Sequence, residues 1–467
     1  MTHDPHTATL LLASAADVQT LASLTPRAEP VAWDELWSTL TLRQGSIRRA
    51  VVLGSAMLGV AAGVVGVFAM LRKRALVADA LSHATLPGIA LAFLLAPLLA
   101  LPAKSLPVLL AGAAATGVLG VLCIQLLLRA TRLHEDAAIG IVLSVFFGAG
   151  VVGSSYIQEN AGGHAAGLSD FIYGQTAAMQ ASDATLMALV AAAAVAAALL
   201  LRKELTLVCF NDAFARTDGW PVSAVDLAIM ALVVVVVVAG LQAVGLLLVV
   251  ALLIIPPVAA RLWTERVWIL ILVSAGVGGA SGWLGASLSS LQTGKPAGAL
   301  IVLTAGALFT ISLFIAPGRG LLPTSVRRLR TRARIAAEHL LEAAYDQGGR
   351  LDTRQLRTLA RRRRWSKLGR SLLLRSLRRK GYIHRDHGDG RLSLTTRGAQ
   401  HGARVARNHR LWEQYLTSYA DVAPNHVDWS VDQVEHVLSP ELIDELEHAL
   451  RSRGVTPRPD PTNGARA

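Results

Sequence analysis

Residues 50–71 read AVVLGSAMLGVAAGVVGVFAML, a run with no charged side chain. At 1.5 Å per residue, a helix of this length spans the roughly 30 Å hydrocarbon core of a bilayer. Eight further apolar runs follow at about 77–101, 106–128, 137–157, 184–201, 224–240, 243–260, 267–290 and 297–316. Small residues recur inside them: Gly54, Gly59, Gly63 and Gly66 in one, Gly276, Gly278, Gly279, Gly282 and Gly285 in another. Small residues let helices approach closely in lipid, so the runs are expected to form a bundle and not separate anchors. The expected fold is an all-α polytopic membrane bundle of eight to nine transmembrane helices. The stretch 224–260 stays open between a long hairpin and a helix broken near Gly240 and Gly245.

Composition agrees with a membrane chain. The 467 residues are 53% hydrophobic and only 16% charged. The charge is divided sharply: residues 1–318 hold 16 basic and 16 acidic side chains, residues 319–467 hold 29 and 16, so the last third carries the whole net charge of +13. Two cysteines, Cys123 and Cys209, exclude a disulfide framework and a thiolate-built metal site. There is no GxxxxGK[ST] phosphate loop, no HExxH and no GxSxG, which argues against a nucleotide hydrolase, a zinc protease or a serine esterase. The stretch Thr9–Ala16 is short and follows Asp4 instead of a basic segment, so a secretory signal is not expected.

Basic loops alternate with loops poor in Lys and Arg. The basic set is Arg72-Lys73-Arg74, Arg129 with Arg132, Arg202-Lys203, and Arg261 with Arg266. By the positive-inside rule this set is cytoplasmic, and so is the C-terminal third. Arg43, Arg48 and Arg49 stand against that assignment, because they precede the first run on the opposite side. The expected organisation is an N-terminal extension (1–47, with a weak amphipathic helix around Trp33–Leu40), a transmembrane domain (48–318), a basic linker (319–335), a winged-helix-like domain (336–398), a helical domain (399–452) and a Pro-rich, disordered tail (453–467). The winged-helix reading rests on helices expected at 333–346, 352–363 and 366–380, followed by a hairpin through Gly381-Tyr382-Ile383, an Asp389-Gly390 turn and Leu392-Ser393-Leu394. Two more helices are expected at 397–418 and 430–452.

Three segments carry candidate chemistry. In Asp79-Ala80-Leu81-Ser82-His83-Ala84-Thr85-Leu86-Pro87-Gly88, Asp79 and His83 stand four apart and share a helix face. Ionisable residues at membrane depth are costly, and carboxylate with imidazole suits Mn²⁺, Fe²⁺ or Zn²⁺. Pro87 has no N–H to return to the His83 carbonyl. The competing reading is that Asp79 pairs with Arg72–Arg74 and His83 is a satisfied core residue. A second segment, Cys209 to Pro221, reads as a short helix with Asp212 as N-cap, Gly219 as stop, and Phe210, Phe214 and Trp220 as apolar knobs for a partner's groove. The third is the basic stretch Arg361–Lys380, suited to DNA phosphates, anionic lipid or an acidic protein face.

Several spaced motifs resemble the permease subunit of ABC importers for manganese, zinc and iron: Leu71-Arg72-Lys73-Arg74 leading into Asp79–Ala90, His134–Gly140, Leu168–Gln175, Asp212–Pro221, and Gly245 through Pro256-Pro257 to Arg261. The resemblance covers about 50–318. It implies a non-enzymatic pathway subunit with Asp79 and His83 as metal contacts. The coupling helix would hold Asp212, Phe214, Arg216, Gly219 and Trp220. It implies no permanently bound cofactor, only transported divalent metal. The implied partners are a separate ABC ATPase, an extracytoplasmic metal-binding lipoprotein or periplasmic protein, and a second permease chain, identical or paralogous, in the plasma (inner) membrane of a bacterium.

The last third is similar to diphtheria-toxin-repressor-type metalloregulators, through Gly381–Gly398, Arg407–Leu416 and Asp432–Ser439. That resemblance places metal ligands on His409, Glu435, His436, Asp432 and Glu338. It departs at Ile335, where manganese-responsive members carry an Asp. The resulting expectation is a Mn²⁺/Fe²⁺ importer permease with a fused regulator-like domain, and DNA is not the expected partner of a tethered chain. The alternatives are a zinc importer permease and, from another class, a membrane-anchored metal-responsive transcription regulator. A mere anchor would have no need for Asp79, His83 or the 212–220 segment.

Overall fold

The computed structural model describes residues 37–452, apart from 39, 42, 44, 101, 103–104, 161–179, 242–244, 292–296, 386–390 and 420–439. It divides into two compact units, Met1–Pro323 and Thr324–Ala467.

In the first unit the apolar runs are helices: α1 (Ser46–Leu71), α2 (Ala75–Ala84), α3 (Leu86–Leu95), α4 (Leu106–Ala130), α5 (Glu135–Asn160) and α6 (Ala181–Leu200). Two short helices follow, α7 (Arg202–Phe210) and α8 (Asp212–Thr217). Then come α9 (Val222–Gly240), α10 (Leu246–Trp263), α11 (Val267–Ser290) and α12 (Ala297–Ile315). Among the described residues, eight stretches are long and apolar enough to cross a membrane, with α2 and α3 counted together as Leu76–Leu95. α10 is a further apolar helix with Pro256 and Pro257 inside it. The expected eight to nine crossings agree with this. The stretch 224–260 is two helices, and the second run stops at Leu95 instead of 101. Pro97 cannot continue the helix, and a single 3₁₀ turn, Pro97–Leu99, closes it.

The bundle is built around α1. It packs against α6, α9, α10 and α11, and nearly every side chain from Leu58 to Ala69 is buried. A helix apolar on all faces is one surrounded by other helices or by lipid. The α1–α11 crossing is set by small residues four apart. Ser55, Gly59 and Gly63 on α1 face Gly282, Gly278 and Ser274 on α11, in antiparallel order. A Cβ at Gly59 would run into the Gly278 carbonyl, and one at Gly278 into the Gly59 carbonyl. Ser274 Oγ donates to the Gly63 carbonyl at 2.7 Å. Elsewhere on α1, Gly66 lies against the Leu253 carbonyl of α10. That carbonyl's ordinary donor would be the N–H of residue 257, which proline lacks. On the outside, α4, α5, α6 and α12 expose Leu119, Val152, Leu189 and Leu303, as helices facing hydrocarbon do.

In the second unit, α13 (Leu321–Asp346, beginning just before the division) is followed by β1 (Arg350–Leu351), α14 (Thr353–Arg362), α15 (Lys367–Arg379), β2 (Ile383–Arg385), β3 (Leu392–Leu394), α16 (Thr396–Tyr419) and α17 (Pro440–Ser452). The strands form an antiparallel sheet in the order β1-β3-β2, with Ser393 opposite both Arg350 and His384. Leu340, Leu341, Leu351, Leu373, Leu377 and Ile383 make its core. Asp352 and Ser366 cap α14 and α15; Ser366 Oγ accepts from the Gly369 N–H at 3.0 Å. The helix expected at 333–346 begins at Leu321 and takes in Arg327, Arg328, Arg330, Arg332 and Arg334. Arginine is a good helix former, so a basic stretch need not be extended. The Asp389-Gly390 turn, residues 430–439, and most of 1–47 and 453–467 lie outside the described residues.

The α1–α11 crossing yields a test. Gly59→Val overpacks against backbone that cannot swing away and is expected to cost about 3 kcal/mol or more. Gly276→Ala, at a position with open space around it, is expected to change stability by less than about 0.5 kcal/mol. Thermal unfolding of the detergent-purified chain measures both. Equal melting temperatures for Gly59→Val and wild type would show that the crossing is not close.

Candidate functional site

The second crossing is broken at Thr85, between α2 and α3. Thr85 Oγ1 donates to the Ser82 carbonyl at 2.5 Å, and Ser82 Oγ donates to the Asp79 carbonyl at 2.8 Å. Pro87 sits in the first turn of α3, where its missing N–H costs least. Just before this break, His83 Nε2 stands 3.6 Å from Asp79 Oδ1, too far for a hydrogen bond but close enough for a shared ion. The His83 ring meets Phe147 of α5 edge to face, with centroids 5.0 Å apart. Its Nδ1 is buried without a hydrogen-bond partner. The Asp79 side chain is 41% exposed, His83 only 12%. α2 is held by α4, α5, α9 and α10, so both donors are fixed to well-supported backbone. Among the described residues, no three His, Cys, Asp or Glu side chains gather in a group that could hold a metal ion.

Asp79 does not pair with Arg72 or Arg74 in any contact the structure shows; both arginines are engaged elsewhere. Arg72 Nη1 donates to the Val208 carbonyl and to Asp212 Oδ1, each at 3.0 Å, and Nη2 reaches the Asp226 carboxylate at 2.8 Å. Arg74 Nη2 reaches the same carboxylate at 3.4 Å, and its Nε stands 3.0 Å from Glu135 at the start of α5. Burial by itself would lower the Arg72 pKa, but the Asp226 and Asp212 carboxylates outweigh it and hold the guanidinium charged. Asp212 is shifted the other way by the same pair: burial opposes, Arg72 prevails, and its pKa falls below the usual carboxylate value. Cys209, beside this cluster, is pushed up to about 12 by burial, despite Arg72.

The 212–220 segment is a helix, as expected, with one correction. The N-cap is Asn211, whose Oδ1 accepts from the Phe214 N–H at 3.0 Å. Asp212 is drawn instead to Arg72. Gly219 ends the segment at φ +82°, a conformation glycine adopts without strain. Trp220 Nε1 donates to Asp218 at 3.1 Å. Phe210, Phe214, Arg216 and Trp220 are exposed, above a small core of Val208, Ala215 and Val222. Asp226 was not singled out from the sequence. Its signal is that it is the sole charge in the 19 residues of α9.

In the second unit Glu338 is buried and pairs with Arg334 Nε at 2.9 Å. His409 Nδ1 lies 3.3 Å from Glu342 Oε1, and His339 Nδ1 lies 3.7 Å from Glu342 Oε2. Glu342, between two histidines, was missed from the sequence. Its position four after Glu338 on the same helix was the available signal. Asp432, Glu435 and His436 lie outside the described residues.

Residues 44–316 match the ABC 3 transport family. Residues 395–463 match the iron dependent repressor, metal binding and dimerisation domain. The manganese transport system membrane protein MntC of Bacillus subtilis (strain 168) is 38% identical over 394 residues, covering 84% of this chain and 88% of that protein. That alignment is longer than the 44–316 stretch and so reaches into the last third. The zinc transport system membrane protein TroC of Treponema pallidum (strain Nichols) is 40% identical over 280 residues, 60% of this chain and 92% of that protein. Among solved structures, PsaBC from Streptococcus pneumoniae in complex with Fab aligns over 63% of this chain and 100% of that chain, at 30% identity and a TM-score of 0.54. The match over 44–316 takes in more than half of the chain, including α2 with Asp79 and His83 and the 212–220 segment, and the chain therefore belongs to the ABC 3 transport family.

Proposed function

We propose that the chain is the permease of a bacterial ABC importer that carries Mn²⁺ or Fe²⁺ across the plasma membrane, a transport subunit whose energy comes from a separate ATPase. The observation that carries this reading is the Asp79–His83 pair. A carboxylate and an imidazole with a free buried nitrogen lie together at the break in a membrane crossing. A dication in a low-dielectric pathway needs formal negative charge and several donors. One chain offers two such donors in this group, and Asp79 is open on one side. A second permease chain, identical or paralogous, would supply the rest. The likeness to MntC favours manganese, and the likeness of 395–463 to an iron dependent repressor domain favours iron. TroC supports zinc as the second reading.

The basic loops face the cytoplasm in this reading, which puts α8 on the cytoplasmic side. Phe210, Phe214 and Trp220 then dock the ATPase. An extracytoplasmic metal-binding protein delivers the ion from the other side. The second unit is a cytoplasmic, winged-helix, regulator-like domain. Its partner is not DNA, and the expected ligand set is His409, Glu338, Asp432, Glu435 and His436.

Two sets of variants test this. Asp79→Asn keeps the shape and removes the charge, and is expected to lower cellular metal uptake at least about tenfold at unchanged expression. His83→Ala is expected to lower Zn²⁺ uptake more than Mn²⁺ uptake, because imidazole matters more to the borderline-soft ion. Normal uptake by both variants would return the pair to a structural role. Removal of 324–467 is expected to leave the importer assembled while changing how uptake responds to cell metal level. Loss of uptake with the permease still folded would instead make the second unit part of the transport cycle.

A further inference from the structure

The charged cluster around Asp226 has no place among the metal contacts, yet it sits between the segment that meets the ATPase and the helix that carries Asp79 and His83. Its three central side chains are nearly closed off from solvent: Arg72 is 11% exposed, Asp226 12% and Arg74 13%. Charges withdrawn from water this far are expensive, and apolar side chains of similar volume would often be no less stable. Stability alone therefore does not explain them.

The geometry does suggest a use. Arg72 and Arg74 flank the turn between α1 and α2, where Lys73 takes φ +59°, a conformation non-glycine residues seldom adopt. The two guanidiniums point to different neighbours but meet on one carboxylate. Arg72 ties Asp226 to Asp212, the first residue of α8, and to the Val208 carbonyl of α7. Arg74, at the N-cap of α2, ties Asp226 to Glu135 at the first residue of α5. The far parts of α2 and α5 meet again where Phe147 stands against His83. A displacement of α8 thus reaches, through one carboxylate, the two helices that bracket His83.

We infer that Asp226 is the positioning residue of an ionic relay, Asp212–Arg72–Asp226–Arg74–Glu135, that transmits movement of the ATPase-facing helix α8 to the metal-bearing helix α2. This rests on the proposed transport function. Asp226 touches no metal in this scheme; its partners are guanidiniums, and its charge holds the two arginines together. Two discrete arrangements of such a cluster can bias a crossing between open and closed states.

The test uses this chain assembled with its ATPase in vesicles and supplied with its extracytoplasmic metal-binding protein, reading Mn²⁺ bound without ATP, ATP hydrolysis, and Mn²⁺ transported per ATP. Asp226→Asn is expected to bind Mn²⁺ as wild type does and to hydrolyse ATP, while Mn²⁺ moved per ATP falls at least about tenfold. Asp226→Glu is expected to recover a substantial part, since it restores the charge. Asp212→Asn removes only the α8 end and leaves Arg72 paired with Asp226, so it is expected to assemble and to show the same uncoupling in milder form. Wild-type transport per ATP in Asp226→Asn would overturn the relay. If that variant did not assemble, unchanged transport per ATP in Asp212→Asn would overturn it. Loss of Mn²⁺ binding in Asp226→Asn would also overturn it, by making Asp226 a determinant of the metal site itself. Failure of the transport reading looks different: the wild-type complex would move none of Mn²⁺, Fe²⁺ or Zn²⁺, and the relay would fall with it.

Discussion

Hydrocarbon offers no water to the peptide group, so each backbone N–H and C=O inside the bilayer must find its partner within the chain. Everything in the first unit follows from that restriction. The runs are helical because a helix satisfies its own backbone. The helices then gain no hydrophobic advantage from one another over lipid, and must associate by close packing and a few polar contacts. That is why α1 and α11 meet through Ser55, Gly59, Gly63, Ser274, Gly278 and Gly282, and why the Ser274 hydroxyl finds the Gly63 carbonyl. Where proline withdraws a donor, as Pro257 does from the Leu253 carbonyl, a glycine of the neighbouring helix covers the gap.

The same restriction decides where polarity is admitted. The Asp79–His83 pair lies beside an interrupted helix, and the arginine–carboxylate cluster lies at the bundle end that carries the basic loops. Both are attached to α2, a helix of ten residues held by four others. A short, well-supported element that carries the Asp79–His83 pair and begins at an ionic cluster can move as one piece. The second unit follows different rules: its core is a small leucine cluster around a three-stranded sheet, and its surface is rich in arginine.

What the sequence makes legible is what periodicity and length control. The apolar runs, the small-residue faces, the Asp79–His83 spacing and the helix ending at Gly219 are local patterns, and they match the structure. What it hides depends on partners distant in the chain. Asp226 reads as an ordinary acid near a helix start until Arg72 and Arg74, more than 150 residues away, close on it. Asp212 reads as a cap until Arg72 claims it and leaves the role to Asn211. Glu342 reads as a solvated glutamate until His409 arrives from α16. The start of α13 at Leu321 was obscured because the basic run within 319–335 reads as a linker, whereas arginine's helix propensity allows the helix to persist through it.

The thiol beside the ionic cluster carries a consequence of its own. With its pKa pushed up to about 12 by burial, Cys209 stays a thiol at neutral pH. Thiophilic ions and peroxides react with the thiolate and not with the thiol. The junction between α7 and α8 therefore carries a sulfur that oxidants and thiophilic ions modify slowly.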